Sequence, residues 1–559
     1  MDTRLKILVV GGYGTFGGRL VDLLLNEPAV MICVAGRSFE QAKKFCDART
    51  DAAAALIPFV FDRQGDVITQ LTAIAPQIVV DASGPFQNYG AHAYRLIEAC
   101  ISLGIDYLDL ADGAEFVEGV KKYDEAARQA GVFIFSGVSS FPVFTIAAVK
   151  KLSAGMRRIN SIRGGIAPSP FAGVGTNVIR AIAGYAGQPM LVRRDGKTQT
   201  AFPFTESLRY TIAPPGRLPV RNIRFSLVDV PDLRALPSLW PETRDVWMGA
   251  GPVPEILHRA LNFFAWLVRL RILPRILFLA PMMETVMRRA SWGEHRGGMF
   301  VDVTGEDDKG AIIQRSWHLL AEGKDGPMIP SMAIEAIIRK IVRGEAIEKG
   351  ARTPELTLEE YEVPFAARAI YAGCREDQPA QVLPLYRKIL GDVWDKLPLE
   401  IRAMHDVTDL AEASGAADIG RGTSPLSGLA ARLMRFPPAG KNVPLRVKFA
   451  VRNGVESWTR DFGGKNFTSR QYAGTGRSDR LVVEKFGPLR FSMALVTSES
   501  KIQLVLRRWS AFGIPLPLWL CPRTESFETV EDGRFHFNVR IWHPITGLIV
   551  HYRGSLTPV

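Results

Sequence analysis

One short stretch constrains this chain more than any other. An apolar run, Leu5–Val10, leads directly into Gly11-Gly12-Tyr13-Gly14-Thr15-Phe16-Gly17-Gly18, and a helical pattern follows at Arg19–Leu25. Gly12, Gly14 and Gly17 have the spacing G-x-G-x-x-G. Glycine at the first position permits a tight turn, at the second lets a pyrophosphate approach the backbone, and at the third lets the helix pack closely on the strand. The helix that opens here offers unpaired N–H groups and the positive end of its dipole to phosphate. A strand before, a helix after and a strand–helix–strand unit around it separate a dinucleotide cradle from an ordinary glycine-rich turn.

The pattern continues for about 150 residues. Apolar runs recur at Ile7–Val10, Met31–Ala35, Ile57–Phe61, Ile78–Asp81, Tyr107–Leu110 and Val132–Phe135, with helical patterns between them. Strands that are apolar throughout are covered on both faces, which predicts a parallel sheet between helices. The expected fold is α/β: a Rossmann doubly wound sheet over 1–150, an inserted α+β substrate domain over 151–375, and a β-rich C-terminal domain over 381–559. Helix 331–342, opened by Pro330 and closed by Arg343 and Gly344, is expected to pack back on the first domain. The stretch Cys374–Pro384 looks like a linker and Ala411–Gly428, rich in Ser, Gly and Ala, like a loop. In the last domain Phe535, Phe537, Val539 and Ile541 share one strand face, as do Trp458, Arg460 and Phe462. A β-sandwich core is the expected destination of these side chains, with an apolar ligand surface as the alternative.

The end of the second strand selects the dinucleotide. NAD-binding domains place an acid there for the ribose 2′-hydroxyl. This chain has Val34-Ala35-Gly36-Arg37-Ser38. The donor fork of Arg37 and the hydroxyl of Ser38 suit a 2′-phosphate, so NADP(H) is expected. The cofactor set is completed by Tyr13, Thr15, Phe16 and Asp62 and by Ser83, Gly84 and Pro85, which follow the fourth strand.

Four stretches, GGYGTFGG, AGRS, VVDASGPFQNYG and GIDYLDLADG, occur in an order and spacing that resembles the saccharopine dehydrogenase-like NADP-binding family, loosely over residues 4–365. The resemblance implies an NADP(H)-dependent oxidoreductase acting on a small or lipid-like substrate. The alternative is a non-catalytic NADP-binding module that presents its C-terminal domain to a partner, an apolar ligand or a membrane surface. Where many relatives have a Pro-Gly turn this chain has Ser139-Ser140-Phe141-Pro142-Val143, which argues against saccharopine as substrate. WTRDFGGKNFTS, VEKFGPLRF and DGRFHFNVRIWHPITGLIVHYRG resemble an uncharacterised bacterial domain of unknown function.

No residue declares itself as the catalytic acid. Asp112 and His92 fall beside the expected crevice and His318 on a strand of the substrate domain, each with a structural role as the alternative. No G-x-S-x-G elbow and no metal-ligand spacing occur. The five cysteines are far apart and form no CxxC pair, which suits a reducing cytoplasm. An apolar window at 129–149 is broken by Gly, Ser and Pro, so no span is expected, and no export signal precedes Leu5. The formal charge is +12, and residues 381–559 hold 25 basic against 16 acidic residues. No nucleic-acid-binding motif accompanies this charge. The stretch 258–289 mixes Phe, Trp and Leu with Arg259, Arg269, Arg271, Arg275, Arg288 and Arg289. It is a candidate peripheral membrane contact, with a buried or homodimer-interface helix pair as the preferred alternative, which places Phe263, Phe264 and Trp266 in a core.

Overall fold

The computed structural model describes residues 4–86, 89–173, 175–289, 292–377 and 383–559. Gln87 and Asn88 of the fourth-strand motif, and residues 378–382 of the expected linker, lie outside the described residues. The chain divides into two compact units, Met1–Leu208 with Arg224–Tyr371, and Arg209–Ile223 with Ala372–Val559.

The first unit is built on a parallel sheet. Its strands are β1 (Leu5–Val10), β2 (Val30–Gly36), β3 (Ala55–Val60), β4 (Ile78–Asp81), β5 (Asp106–Asp109) and β6 (Phe133–Phe135), joined at one edge by Gly350–Arg352. The order β3-β2-β1-β4-β5-β6 reverses direction at β1, so the crevice for a ligand opens beyond the carboxyl ends of β1 and β4. Ile7, Leu8 and Val9 are fully buried because helices cover both faces. Helix α1 (Thr15–Leu24) buries Leu20, Val21, Leu23 and Leu24 against the sheet. The helix Ile329–Val342 lies along α1: Ser331 Oγ donates to Phe16 O at 3.2 Å, and Arg339 reaches Glu27 at 3.1 Å and Leu23 O at 3.2 Å.

A second sheet of this unit centres on β7 (Arg158–Ala167), which pairs in parallel with Asp245–Ala250 and antiparallel with Arg296–Glu306. The latter continues into an antiparallel hairpin with Ile312–Glu322. Helices Glu255–Arg269 and Ala280–Arg289 belong to this unit, separated by a turn that contains Pro274.

The second unit is a closed barrel and not the sandwich that the alternating aromatics suggest. Strands Leu410–Arg421, Gly440–Arg452, Val455–Phe462, Lys465–Ala473, Val482–Phe486 and Leu489–Ser498 pair with one another in succession, all antiparallel. Lys501–Ala511, Arg523–Glu531, Arg534–His543 and Gly547–Pro558 continue the meander, and the last strand pairs with the first. Closure removes the edges that an open sheet would expose. Phe535, Phe537, Val539 and Ile541 point into the core, where they meet Tyr386, Ile389, Ile401 and Met404 from two short helices, Leu385–Leu390 and Leu399–His405. Most of the expected loop Ala411–Gly428 is barrel strand, followed by the helix Pro425–Leu433. Its small residues answer to crowding: a Cβ at Gly415 would lie 2.0 Å from Ser555 O. The expected linker likewise begins inside a strand, Ile370–Asp377.

Candidate functional site

The glycine-rich turn shapes a cleft at the carboxyl end of β1. Gly11, not Gly12, takes the left-handed conformation, with φ +79°. Gly12 is needed for close approach instead: a Cβ there would sit 2.9 Å from Val9 O and 3.1 Å from Val34 Cγ1. At Gly17 a Cβ would lie 2.3 Å from Gly11 O, so helix and turn touch through backbone alone. Gly14 caps α1 in an extended conformation, with no side chain capping the helix and no acid in its first turn. The first N–H groups of a helix have no partner within it, and here Gly14, Thr15 and Phe16 line the cleft with no side-chain cap among the described residues.

A cavity of about 760 Å³ opens at this point, lined by Tyr13, Gly14, Thr15 and Phe16 from the turn, by Arg37 and Asp62 from the ends of β2 and β3, and by Ser83, Gly84 and Pro85 after β4. Arg37 is exposed at the rim and makes no hydrogen bond or ion pair among the described residues. Ser38 serves mainly as an N-cap: its Oγ accepts from Gln41 N at 3.3 Å, opening helix α2 (Phe39–Asp47). Ser38 itself is not among the residues lining the cavity. Tyr13 lies against Gly36, where a Cβ would come within 2.5 Å of the ring, and its phenol accepts from Ser38 N at 3.1 Å. This braces the turn against the end of β2. Asp62 is held by its own loop, accepting from Gln64 N at 3.0 Å.

Behind Ser83 a polar network holds the β4 end rigid. Asp81 is fully buried and accepts from Arg63 Nε at 3.0 Å, from Ser83 N at 3.0 Å and from Ser83 Oγ at 2.5 Å. The Arg63 guanidinium stacks 3.3 Å from the Tyr89 ring centroid and donates to Ala93 O. One strand further, Asp109 is fully buried. Its Oδ1 accepts from Ala111 N, Ser136 Oγ and Gly137 N, while Oδ2 has no partner among the described residues. Burial pushes its carboxyl up to about 7, against the three hydrogen bonds that favour the ion.

The three candidate acids part company. Asp112 is exposed to a smaller cavity of about 180 Å³, which it lines with Gly84, Pro85, Phe141 and Asn177. His92 is exposed on the wall of the large cavity, beside Gln64 and Arg95. His318 is fully buried beside Ser316 Oγ, 3.0 Å away, and is not among the residues lining these cavities. Asn177, Arg63 and Arg95 also line the large cavity and carry no signal in the sequence. Asn177 Nδ2 donates to Gly84 O at 3.1 Å from a helix about 90 residues further along, Thr176–Tyr185. A third, largely apolar cavity of about 260 Å³ shares Phe16, Gly175 and Val178 with the large one and is lined further by Ile166, Met299 and Leu319.

Strand order, glycine cradle and uncapped helix together define a Rossmann-type dinucleotide-binding α/β domain. Residues 7–135 match the family described as saccharopine dehydrogenase NADP binding domain. Residues 397–556, within the barrel unit, match a domain of unknown function, DUF4166. No curated protein matches the chain. Among solved structures, saccharopine dehydrogenase (L-Glu forming) from Saccharomyces cerevisiae is 13% identical, with TM-score 0.47, over 67% of this chain and 100% of that one. A probable dehydrogenase from Thermotoga maritima is 11% identical, with TM-score 0.30, over 64% and 92%. Biliverdin reductase from Synechocystis, solved with biliverdin and NADP+, is 11% identical, with TM-score 0.29, over 64% and 95%.

Proposed function

We propose that this protein is an NADP(H)-dependent oxidoreductase whose substrate is a carbonyl or enoyl compound with an apolar portion. The observation that carries the reading is the exposed, ion-pair-free Arg37 at the end of β2, on the wall of a cleft whose floor is the glycine cradle and the uncapped start of α1. These residues fit a phosphorylated dinucleotide: backbone N–H groups of Thr15 and Phe16 for the pyrophosphate, Arg37 and the Ser38 hydroxyl for the 2′-phosphate, Ser83, Gly84 and Pro85 for the ribose and ring. Bound there, the nicotinamide supplies or accepts a hydride.

The protein contributes position and a proton. Asn177 fastens the Gly84 carbonyl, and the Asp81–Arg63 pair fixes Ser83 beneath it. The cavity of about 260 Å³, with walls of Ile166, Met299 and Leu319, takes the apolar portion of the substrate and keeps water from it. Reduction of a polarised double bond needs one proton beside the hydride, and we assign its transfer to the Asp112 carboxyl group on the wall of the smaller cavity.

The test is NADPH oxidation followed by absorbance over a panel of ketones, aldehydes and enoyl thioesters with lengthening apolar tails. Turnover that improves with the tail supports the reading. NADPH binding without turnover of any member would favour the non-catalytic module. Asp112→Asn should lower kcat by roughly 100-fold or more with the NADPH dissociation constant unchanged.

A further inference from the structure

The helical segment of residues 255–289 reverses the usual arrangement of a surface helix. Such a helix turns its apolar stripe inward and its charges to water. Along Glu255–Arg269 the inward positions are His258, Ala265 and Val268. The outward ones recur at the helical period and include Ile256, 69% exposed, Phe263, 60%, and Trp266, 41%. The expectation that Phe263 and Trp266 are core is therefore wrong: the same stripe faces solvent. The exposed row runs on through Leu270, Ile272 and Leu277 to Phe278, 66% exposed, and to Met282 and Val286 of Ala280–Arg289. So many large apolar side chains exposed within one segment mark an interaction site.

Charge selects the occupant. The segment holds six arginines against two glutamates. Both glutamates are engaged, Glu255 with Arg259 and Glu284 with the Thr176 hydroxyl. Arg269, Arg271, Arg275 and Arg289 stand exposed around the apolar row, and the Arg269 guanidinium sits 4.5 Å from the Trp266 ring centroid. Phe and Trp flanked by arginine suit the boundary between acyl chains and anionic headgroups. A second copy of the same face would instead set arginines against arginines. Among the described residues no helix is long and apolar enough to cross a membrane, so the segment would lie in the interface plane.

A small cavity also lies between these helices and the apolar cavity of the cleft. Leu257, Glu284 and Met287 line a cavity of about 60 Å³ whose wall shares Pro168, Ser169 and Gly173 with the apolar cavity of about 260 Å³. We propose that the helices of residues 255–289 dock the protein on an anionic lipid bilayer, from which an apolar substrate reaches the cleft without crossing water. The docking stands on the surface itself; the delivery of substrate from the bilayer rests on the oxidoreductase reading.

The experiment is sedimentation of the purified full-length chain with vesicles of phosphatidylcholine plus phosphatidylglycerol, and of phosphatidylcholine alone. Binding to the mixed vesicles is expected, about tenfold or more above the neutral ones and weakened by high salt. The combined variant Phe263→Ser, Trp266→Ser, Phe278→Ser should lose this binding by a similar factor while keeping its circular dichroism and its affinity for NADPH. Should that variant fail to fold, Arg271→Glu with Arg275→Glu decides, since both side chains are exposed: loss of the preference for anionic vesicles supports docking, and unchanged binding overturns it. A wild-type protein that ignores both vesicle types overturns it, as does a dimer, seen by light scattering, that the serine variant converts to monomer. NADPH titration, run separately on each variant, shows whether the cofactor reading fails independently.

Discussion

Asp109 couples the stability of the first unit to pH. Its carboxyl lies at the end of β5, fully buried, with three donors on Oδ1 and, among the described residues, none on Oδ2. Burial raises it from 3.8 to about 7. The folded state therefore holds a proton that the unfolded chain releases above pH 3.8. Stability falls as pH rises through the interval between the two values and levels off above about 7. Over that interval the slope approaches ~1.4 kcal/mol per pH unit, so the whole effect is ~4 kcal/mol. Asp109→Asn keeps the Oδ1 acceptor and cannot ionise. Between about pH 5 and about pH 8 the wild type should lose ~3 kcal/mol relative to this variant. Urea unfolding of both proteins, followed at each pH, measures the difference. An offset between them that stays constant with pH would refute the argument, because it would mean that Asp109 is ionised throughout or solvated.

Gly17→Ala places a methyl 2.3 Å from Gly11 O, against backbone that cannot yield; it should cost ~3 kcal/mol in thermal unfolding and abolish NADPH binding. In the barrel, Arg480 grips Asp377 through two parallel hydrogen bonds of 3.0 and 2.7 Å, so Arg480→Ala should destabilise that unit by ~2 kcal/mol with no effect on cofactor affinity. His405 stacks 3.7 Å from Tyr386 and lies 2.7 Å from Glu528, both within the core; His405→Ala should cost ~3 kcal/mol or more in urea unfolding, because it leaves Glu528 without its partner.

The cradle was legible because its causes are local. Glycine spacing, an apolar strand before it and a helix after it lie within 20 residues, and steric limits at each position dictate the residue. The barrel was not legible, because closure pairs Leu410–Arg421 with Gly547–Pro558 across more than a hundred residues. Its first strand, rich in Gly and Ala, carries the composition of a loop, yet the glycine at position 415 marks where two strands press together. The stripe of Phe263 and Trp266 misled for a different reason: periodicity shows that a helix has an apolar side but not whether that side meets protein or solvent. Asn177 and Arg63 reach the cleft only through tertiary structure, and their neighbours in sequence offer no pattern to find them by.

The measurement closest to the central claim is a fluorescence titration of the wild type and Arg37→Ala with NADPH and with NADH. The wild type should bind NADPH more tightly. Loss of the guanidinium should weaken NADPH by ~1.5–3 kcal/mol, roughly 10- to 150-fold, and leave NADH nearly unchanged. Equal weakening of both dinucleotides, or no binding of either by the wild type, would contradict the account.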